Sequence, residues 1–282
     1  MKKRHVIGLT CGVFIMTSGC LIVVGPIESV EEDFELADGF DGINGLRIDW
    51  RNGSITLRVD AEVDGMRAEG TKRVSAPDQA TAEALIDDLQ IVLGASSASD
   101  DELVLSFDAP PDMGRISYAA NVEVVIPRGI AVIIDNNNGG VTVSGNEGTT
   151  GITVDNGGVT VEGQNGDTDI DVDNGSITIE TDAGAIDART ENGGITIRAR
   201  PGENDDIAAE TRNGSISIRI PQDTGATVDL RTRLGSIAPI FGGFEVTGLT
   251  VALSRVTATL NGGGIDVRAE TELGGIEFES LP

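Results

Sequence analysis

The stretch Val154–Glu180, VDNGGVTVEGQNGDTDIDVDNGSITIE, says one thing twice: VDNGGVTVEG, and then, from Val172, VDNGSITIET. The asparagines of the Asn-Gly pairs fall at 138, 156, 174 and 192, a constant step of 18, and Asn213 follows after 21. Leu234-Gly235-Ser236 comes after another 21, degenerate copies stand at Asn261–Ile265 and Leu273–Ile276, and Trp50–Leu57 is a first copy. A period near 20 sustained over many copies marks a solenoid. Each unit holds two short alternating runs, such as Val159–Val161 and Ile170–Val172, and two turns, which leaves no room for a helix. Asn-Gly also suits tight antiparallel hairpins, but hairpins need no constant step, whereas stacked coils do. The expected fold is all-β: a flattened, right-handed parallel β-solenoid of about 18–21 residues per coil, each coil ~4.8 Å above the last, with one short helical insertion.

Alternation then assigns the faces. Inward positions before each corner are Ile152 and Val154, Ile170 and Val172, Ile186, Ala188 and Thr190, and Ile207, Ala209 and Thr211; after it come pairs such as Val159 and Val161 or Ile195 and Ile197. β-Branched side chains stacked on like residues make a narrow core, and burying each contributes roughly 1.5–3 kcal/mol. The asparagines share this inward parity. Asn138, Asn156, Asn174, Asn192 and Asn213 are expected to form a ladder at one corner, each amide bonding the neighbouring coil and the turn backbone. The glycine after each takes the backbone conformation that the corner needs.

Composition agrees with thin, turn-rich β structure: aromatic residues are 3% of the 282, and 38 are glycine. The start, MKKRHVIGLTCGVFIMTSGC, reads as a lipoprotein signal peptide over residues 1–19. Lys2, Lys3 and Arg4 form its basic head. The apolar run Val6–Met16 is too short to span a bilayer. Thr17-Ser18-Gly19-Cys20 resembles a lipobox, so Cys20 is the expected lipidation site, and residues 20–33 read as a tether. Leu21 in place of an acidic residue points to the outer membrane. Loss of residues 1–19 would leave no histidine, a single cysteine, and 17 basic against 46 acidic side chains. That excludes internal disulfides, Cys/His zinc sites and Ser-His-Asp or Cys-His nucleophiles. The net charge of −26 also excludes nucleic acid as a partner, since phosphate binding needs a basic face.

From Phe34 to Pro282 the chain reads as one solenoid domain. PDQATAEALIDDL (Pro77–Leu89) is its helical insertion, with Ala82, Leu85, Ile86 and Leu89 on one face. Regular repeats run over residues 131–238 and C-terminal coils over 239–282. The helix and the irregular stretch Pro239–Ser254, with Phe241 and Phe244, are candidate caps for the open edges of the stack, or partner-facing patches.

Function would live in the outward columns. Thr142, Thr160, Thr178, Thr196 and Ser217 form one file, which β-propensity on a wet face explains; an ice-binding surface would want a second such file. Asp171, Arg189 and Glu210 can pair across coils. Asp155, Asp173 and Glu191 are like charges on successive coils and repel unless solvent or a cation intervenes, so they are candidate Ca²⁺ ligands. The Gly-Gly-x-Gly-x-Asp calcium-roll pattern is absent, and no other cofactor is expected.

The repeated phrase Asn-Gly-Ser-Ile/Val-Thr-Ile/Val, with Pro127-Arg128-Gly129 leading in and Arg219-Ile220-Pro221 closing a late copy, resembles the bacterial "putative adhesin" family, a domain of unknown function related to the auto-transporter adhesin head called GIN. The resemblance spans roughly Phe34 to Phe278, including Leu260–Ile265 and Thr271–Ile276. It implies an envelope-associated β-solenoid and brings no catalytic residues with it. The expected function is a non-catalytic cell-envelope lipoprotein: a scaffold or adhesin-like module, held to the membrane by its lipid, facing a surface polysaccharide or an envelope protein. Two alternatives stand beside it, a carbohydrate-active enzyme using outward carboxylates and an envelope-stress regulatory binding protein.

Overall fold

The computed structural model describes residues 3–6, 27–39, 42–97, 99, 101–110 and 114–281. In chain order its elements are β1 (Lys3–Val6), β2 (Glu28–Gly39), β3 (Gly45–Asn52), β4 (Ile55–Val59), β5 (Gly65–Ala76), α1 (Gln79–Ile86), β6 (Gln90–Ala95), β7 (Glu102–Asp108), β8 (Ser117–Ile126), β9 (Ala131–Asn138) and β10 (Val141–Ser144). There follow β11 (Thr150–Asn156), β12 (Val159–Gln164), β13 (Thr168–Asn174), β14 (Ile177–Thr181), β15 (Ile186–Asn192), β16 (Ile195–Ala199), β17 (Ile207–Asn213) and β18 (Ile216–Pro221). The last are β19 (Ala226–Leu234), β20 (Ile237–Pro239), β21 (Val246–Ala252), β22 (Arg255–Leu260), β23 (Ile265–Leu273) and β24 (Ile276–Leu281).

These strands make two long sheets. Sheet A runs β1-β2-β5-β8-β4-β10-β12-β14-β16-β18-β24-β20, and sheet B runs β6-β7-β3-β9-β11-β13-β15-β17-β23-β19-β22-β21. Each coil is one strand of sheet B, an Asn-Gly corner or its equivalent, and one strand of sheet A. Pairing through the body is parallel and in register, with Val154 opposite Val172, and Ile177 opposite Ile195. The inward residues are buried: Val172, Ile179, Ala188 and Ile197 are fully inaccessible.

The corner sets the register. A Cβ on Gly157, Gly175, Gly193 or Gly214 would lie 1.8–2.0 Å from the carbonyl oxygen of the glycine one coil away. Only a residue without Cβ permits coils to approach this closely. Backbone bonds lock the approach, for example from Gly175 N–H to the Asn192 carbonyl at 3.0 Å. From inside, the Thr190 and Thr211 hydroxyls donate to the Gly175 and Gly193 carbonyls at 3.1 and 2.9 Å. At the opposite corner fully buried amides do the equivalent work: Asn146 Nδ2 donates to the Ile130 carbonyl at 3.1 Å, and Gln164 Nε2 to the Gly148 carbonyl at 2.7 Å.

The order of coils departs from the order of the chain at both ends. Coil β3/β4 lies between β9/β10 and β7/β8, so residues 60–130 leave the stack and return beneath it. The C-terminal coil β23/β24 lies between β17/β18 and β19/β20. The step of 21 from Asn213 to Leu234 implies direct stacking; Leu273 instead sits between them. β23 matches β17 residue for residue, with Val267 on Ile207, Ala269 on Ala209 and Thr271 on Thr211. Parallel pairing also gives way to antiparallel at both ends, in β1-β2-β5-β8, β6-β7 and β19-β22-β21. Residues 28–33 are part of β2, not of a tether.

Helix α1 starts at Asp78, whose carboxylate accepts from Thr81 N–H at 2.9 Å, and it packs on β2 and β5. Lys72 Nζ, almost fully buried, closes the helix by donating to the Ile86 and Leu89 carbonyls, both at 3.0 Å, with Glu32 at 3.6 Å. A cation suits the negative end of a helix. The aromatic residues also sit at the ends. Trp50 lies 5.3 Å from Phe107 at one, and Phe241 and Phe244 lie 5.7 and 6.2 Å from Phe278 at the other. Between β19 and β22, Asp229 accepts from Arg231 and Arg255. Burial pushes its pKa up, but the two guanidiniums outweigh burial and hold it at about 2.

Gly193→Ala should lower stability by about 1–3 kcal/mol or more, read as a fall in the urea midpoint, while Gly151→Ala, with nothing within 4 Å, should be near neutral. The Asp229 clamp has a depressed folded-state pKa, so its contribution is full above about pH 4 and lost as pH falls through about 2. Asp229→Asn should therefore lower the melting temperature at pH 6 and lose that deficit near pH 2; a deficit of equal size at both pH values would contradict the assignment.

Candidate functional site

The Asn ladder is present as a continuous chain of amides. Asn138 donates to Asn52, Asn156 to Asn138, Asn174 to Asn156, Asn192 to Asn174 and Asn213 to Asn192, at 2.8–3.2 Å. Its position differs from the inward one that parity implies. Asn138, Asn156, Asn174, Asn192 and Asn213 are solvent-exposed, because the chain is already turning at the corner and swings them outside the core. The ladder also begins one coil earlier, at Asn52, in the repeat copy Trp50–Leu57. Cys20 lies outside the described residues.

The other outward columns fall in two sets. On sheet A, Thr56, Thr142, Thr160, Thr178, Thr196 and Ser217 stand in one register. The same row continues past Thr56 into Glu123, Glu69 and Glu35. Arg58 sits 2.7 Å from Glu123, while Arg67 reaches Glu69 at 2.7 Å and Glu35 at 3.3 Å, so these like charges are locally offset. The neighbouring column, Ser144, Glu162, Glu180, Arg198 and Arg219, is charged and gives no second threonine file.

Sheet B carries the acids. Asp155, Asp173 and Glu191 follow one another on successive coils, but Asp155 accepts from Asn137 at 2.7 Å and Glu191 from Arg212 at 2.8 Å. Among the described residues no group of three or more His, Cys, Asp or Glu side chains is arranged to hold a metal ion. Asp171, Arg189 and Glu210 are neighbours in register. Arg189 nevertheless turns along its own strand to Asp187, and stays 4.0 Å from Asp169. Burial, and then the nearby Asp173, raise the pKa of Asp171, with Arg189 pulling the other way. At the start of the same face burial raises Asp49 too; Arg47 opposes the rise and Asp135, opposite in register, adds to it.

One column was missed by counting back from the asparagines. Ile133, Gly151, Asp169, Asp187, Ala208 and Arg268 share a register at the beginning of the sheet B strands. The small side chains of Gly151, Ala185 and Ala208 leave a groove of about 660 Å³ running across these coils. Its lining is mostly apolar, and beside the carboxylates of Asp167, Asp169, Asp187, Asp206 and Asp266 it includes one cation, Arg268. Several of these carboxylates are engaged in the scaffold. Asp167 accepts from Ala185 N–H at 3.0 Å, Asp206 from Asp266 N–H at 2.8 Å, and Asp187 from Arg189. The sequence signal was glycine at 151 and alanine at 208 in a column that otherwise carries Ile133, Asp169, Asp187 and Arg268.

No family model and no curated protein matches the chain. Among solved structures, a putative cell adhesion protein from Clostridium sporogenes is 12% identical, with a TM-score of 0.37, covering 89% of this chain and 100% of its own. A putative adhesin from Bacteroides fragilis is 10% identical, with a TM-score of 0.44, covering 89% and 97%. A putative adhesin from Parabacteroides distasonis is 13% identical, with a TM-score of 0.30, covering 92% and 98%. At this level the likeness carries no weight for function.

Because the folded state raises the pKa of Asp171, ionisation above the unfolded value costs stability. Asp171→Asn should therefore raise stability slightly at pH 7 and low salt, by less than about 1 kcal/mol, read as a small rise in melting temperature. The gain should shrink as salt screens the face, and a loss of stability at low salt would contradict the reading.

Proposed function

We propose that this chain is a non-catalytic interaction module of the cell envelope, anchored through a lipid on Cys20, that engages an extended partner along the outer face of sheet B. The observation that supports this is the groove across successive coils, mostly apolar in its lining and, apart from Arg268, acidic in its charged residues. Backbone positions recur at every coil along the groove, so it suits a ligand that runs extended, such as a surface polysaccharide, better than a compact small molecule. Its carboxylates favour ligand groups that are cationic or donate hydrogen bonds. Three of these carboxylates are committed to neighbouring backbone or to arginine, which fits recognition and rigidity rather than proton transfer.

A screen of the full chain against glycans and envelope fractions, with and without calcium, tests the reading. Binding should be found in the polymer fraction, should not need calcium, and should weaken at least tenfold in Gly151→Leu, which fills the groove at a position with open space above it. Binding that ignores both Gly151→Leu and Ala208→Leu, or no binding to any fraction, would refute it.

A further inference from the structure

The two ends of the stack are finished differently. At one end sheet A runs past the parallel coils by β5 and β2, and the inner face of that overhang is covered. Helix α1 lies on it, and Val30, Val74 and Ala76 are fully buried together with Ala82 and Ile86. At the other end sheet B runs past sheet A by β22 and β21. The inner residues of β22, Val256, Ala258 and Leu260, are buried, but those of β21 are not: Leu249 is 52% exposed and Val251 67%, and Leu253 in the turn after it is 99% exposed. Val251 pairs with Val256, so it lies on the core-facing side of the sheet, and Leu249, two residues earlier, shares that side. These are core residues without an opposing layer.

The same end collects Leu234, Ile240 and Leu273. It therefore holds six of the eight large apolar side chains exposed among the described residues. Leu273 and Leu234 continue the column of the asparagine ladder, so the outer corner changes from amide to leucine on the last two coils. β21 is also the outermost strand of its sheet, and Val246–Ser254 contains no charged residue and no proline. Edge strands usually carry one or the other, or a bulge, to prevent pairing, and β21 has only the register shift between Thr247 and Thr250.

We propose that this end is where two copies of the chain associate. β21 of one copy pairs antiparallel with β21 of the other across a two-fold axis. The two B sheets join into one, and Leu249, Val251 and Leu253 pack on their equivalents. Charge selects a second copy as the occupant. The chain carries −26, and two copies repel wherever the acidic faces approach. The β21 end is uncharged along its edge and bordered by Arg231, Arg233 and Arg255, two of which are paired with Asp229. Self-association costs least there. At the opposite end α1 covers the overhang of sheet A, while sheet B ends in β6, whose edge is also uncharged. Pairing of β21 with β21 about a two-fold axis uses the same edge of both copies and so stops at two, whereas β21 on β6 would run on as a filament.

Sedimentation equilibrium of the full chain in density-matched detergent tests this. The protein mass should be twice 29.2 kDa at micromolar concentration. Leu249→Lys/Val251→Lys should return it to the single-chain mass with an unchanged circular dichroism spectrum. Leu253→Lys, at a side chain 99% exposed and so without effect on folding, should by itself weaken the dimer at least tenfold. Thr178→Lys on sheet A should leave it intact. The proposal is overturned by a wild-type chain that stays at the single mass, as it would if β21 served a different protein. It is equally overturned by species larger than two, or by a dimer indifferent to both sets of edge substitutions.

Discussion

The contact on which the rest of the structure depends is backbone against backbone at the Asn-Gly corner. Glycine carbonyls of one coil occupy the space where the next coil's Cβ would be. Outside this contact the amide chain from Asn52 to Asn213 runs along the corner, and inside it the hydroxyls of Thr190, Thr211 and Thr271 reach the same glycine carbonyls. With the corner fixed on both sides, every residue two positions away is placed to a fraction of a strand spacing. Ile177 must then lie on Ile195, and Thr160 on Thr178. The narrow aliphatic core and the outward files are consequences of that register, not separate achievements of packing.

Much of this was legible in the sequence, because a step of 18 in a two-strand unit has few physical explanations. The inward aliphatic columns and the helical insertion follow from alternation and capping, whereas Phe241 and Phe244 pack on Phe278 without covering β21. Three features did not follow. Parity places Asn156 inside, yet a corner is where parity ends, and a polar amide that can bond its neighbour in water has no reason to be buried. Among the buried amides Asn136 bonds the glycine carbonyls of the Asn-Gly corner from inside, while Asn146 and Gln164 stand at the other corner, where no repeating pair announces them. The groove escaped because its signal is a deficit: Gly151 and Ala208 matter for the side chains they lack.

The order of the coils is the deepest of these limits. In a solenoid each coil presents nearly the same surface above and below, so local sequence says that coils stack without saying which stacks on which. Coil β23/β24 sits on β17/β18 with alanine on alanine and threonine on threonine, yet on its other side Ala269 meets Leu230 and Thr271 meets Thr232. Coil β19/β20 is left outermost, where β19 accepts the antiparallel hairpin β21/β22. A chain that fills its penultimate position last cannot complete the stack until its C-terminus is available, which couples the final residues to the integrity of the whole far end.

The same geometry separates the surfaces by chemistry. A strand in the body has one face in the core and one in water, so its outer face is free to carry charge, and sheet B carries enough to raise Asp49 and Asp171 by burial among like neighbours. An end strand has no such freedom. Its inner face keeps the apolar pattern of every other strand because it extends the same sheet, and its edge keeps unpaired amides because no further coil follows. One end covers its inner face with a helix and a buried Lys72–Glu32 pair. The other leaves its inner face to β21. Faces and ends of this molecule are therefore under different physical demands: the faces are free to vary in charge, whereas the exposed end must be covered or guarded, and Val246–Ser254 has neither charge nor proline for that, only the register shift between Thr247 and Thr250.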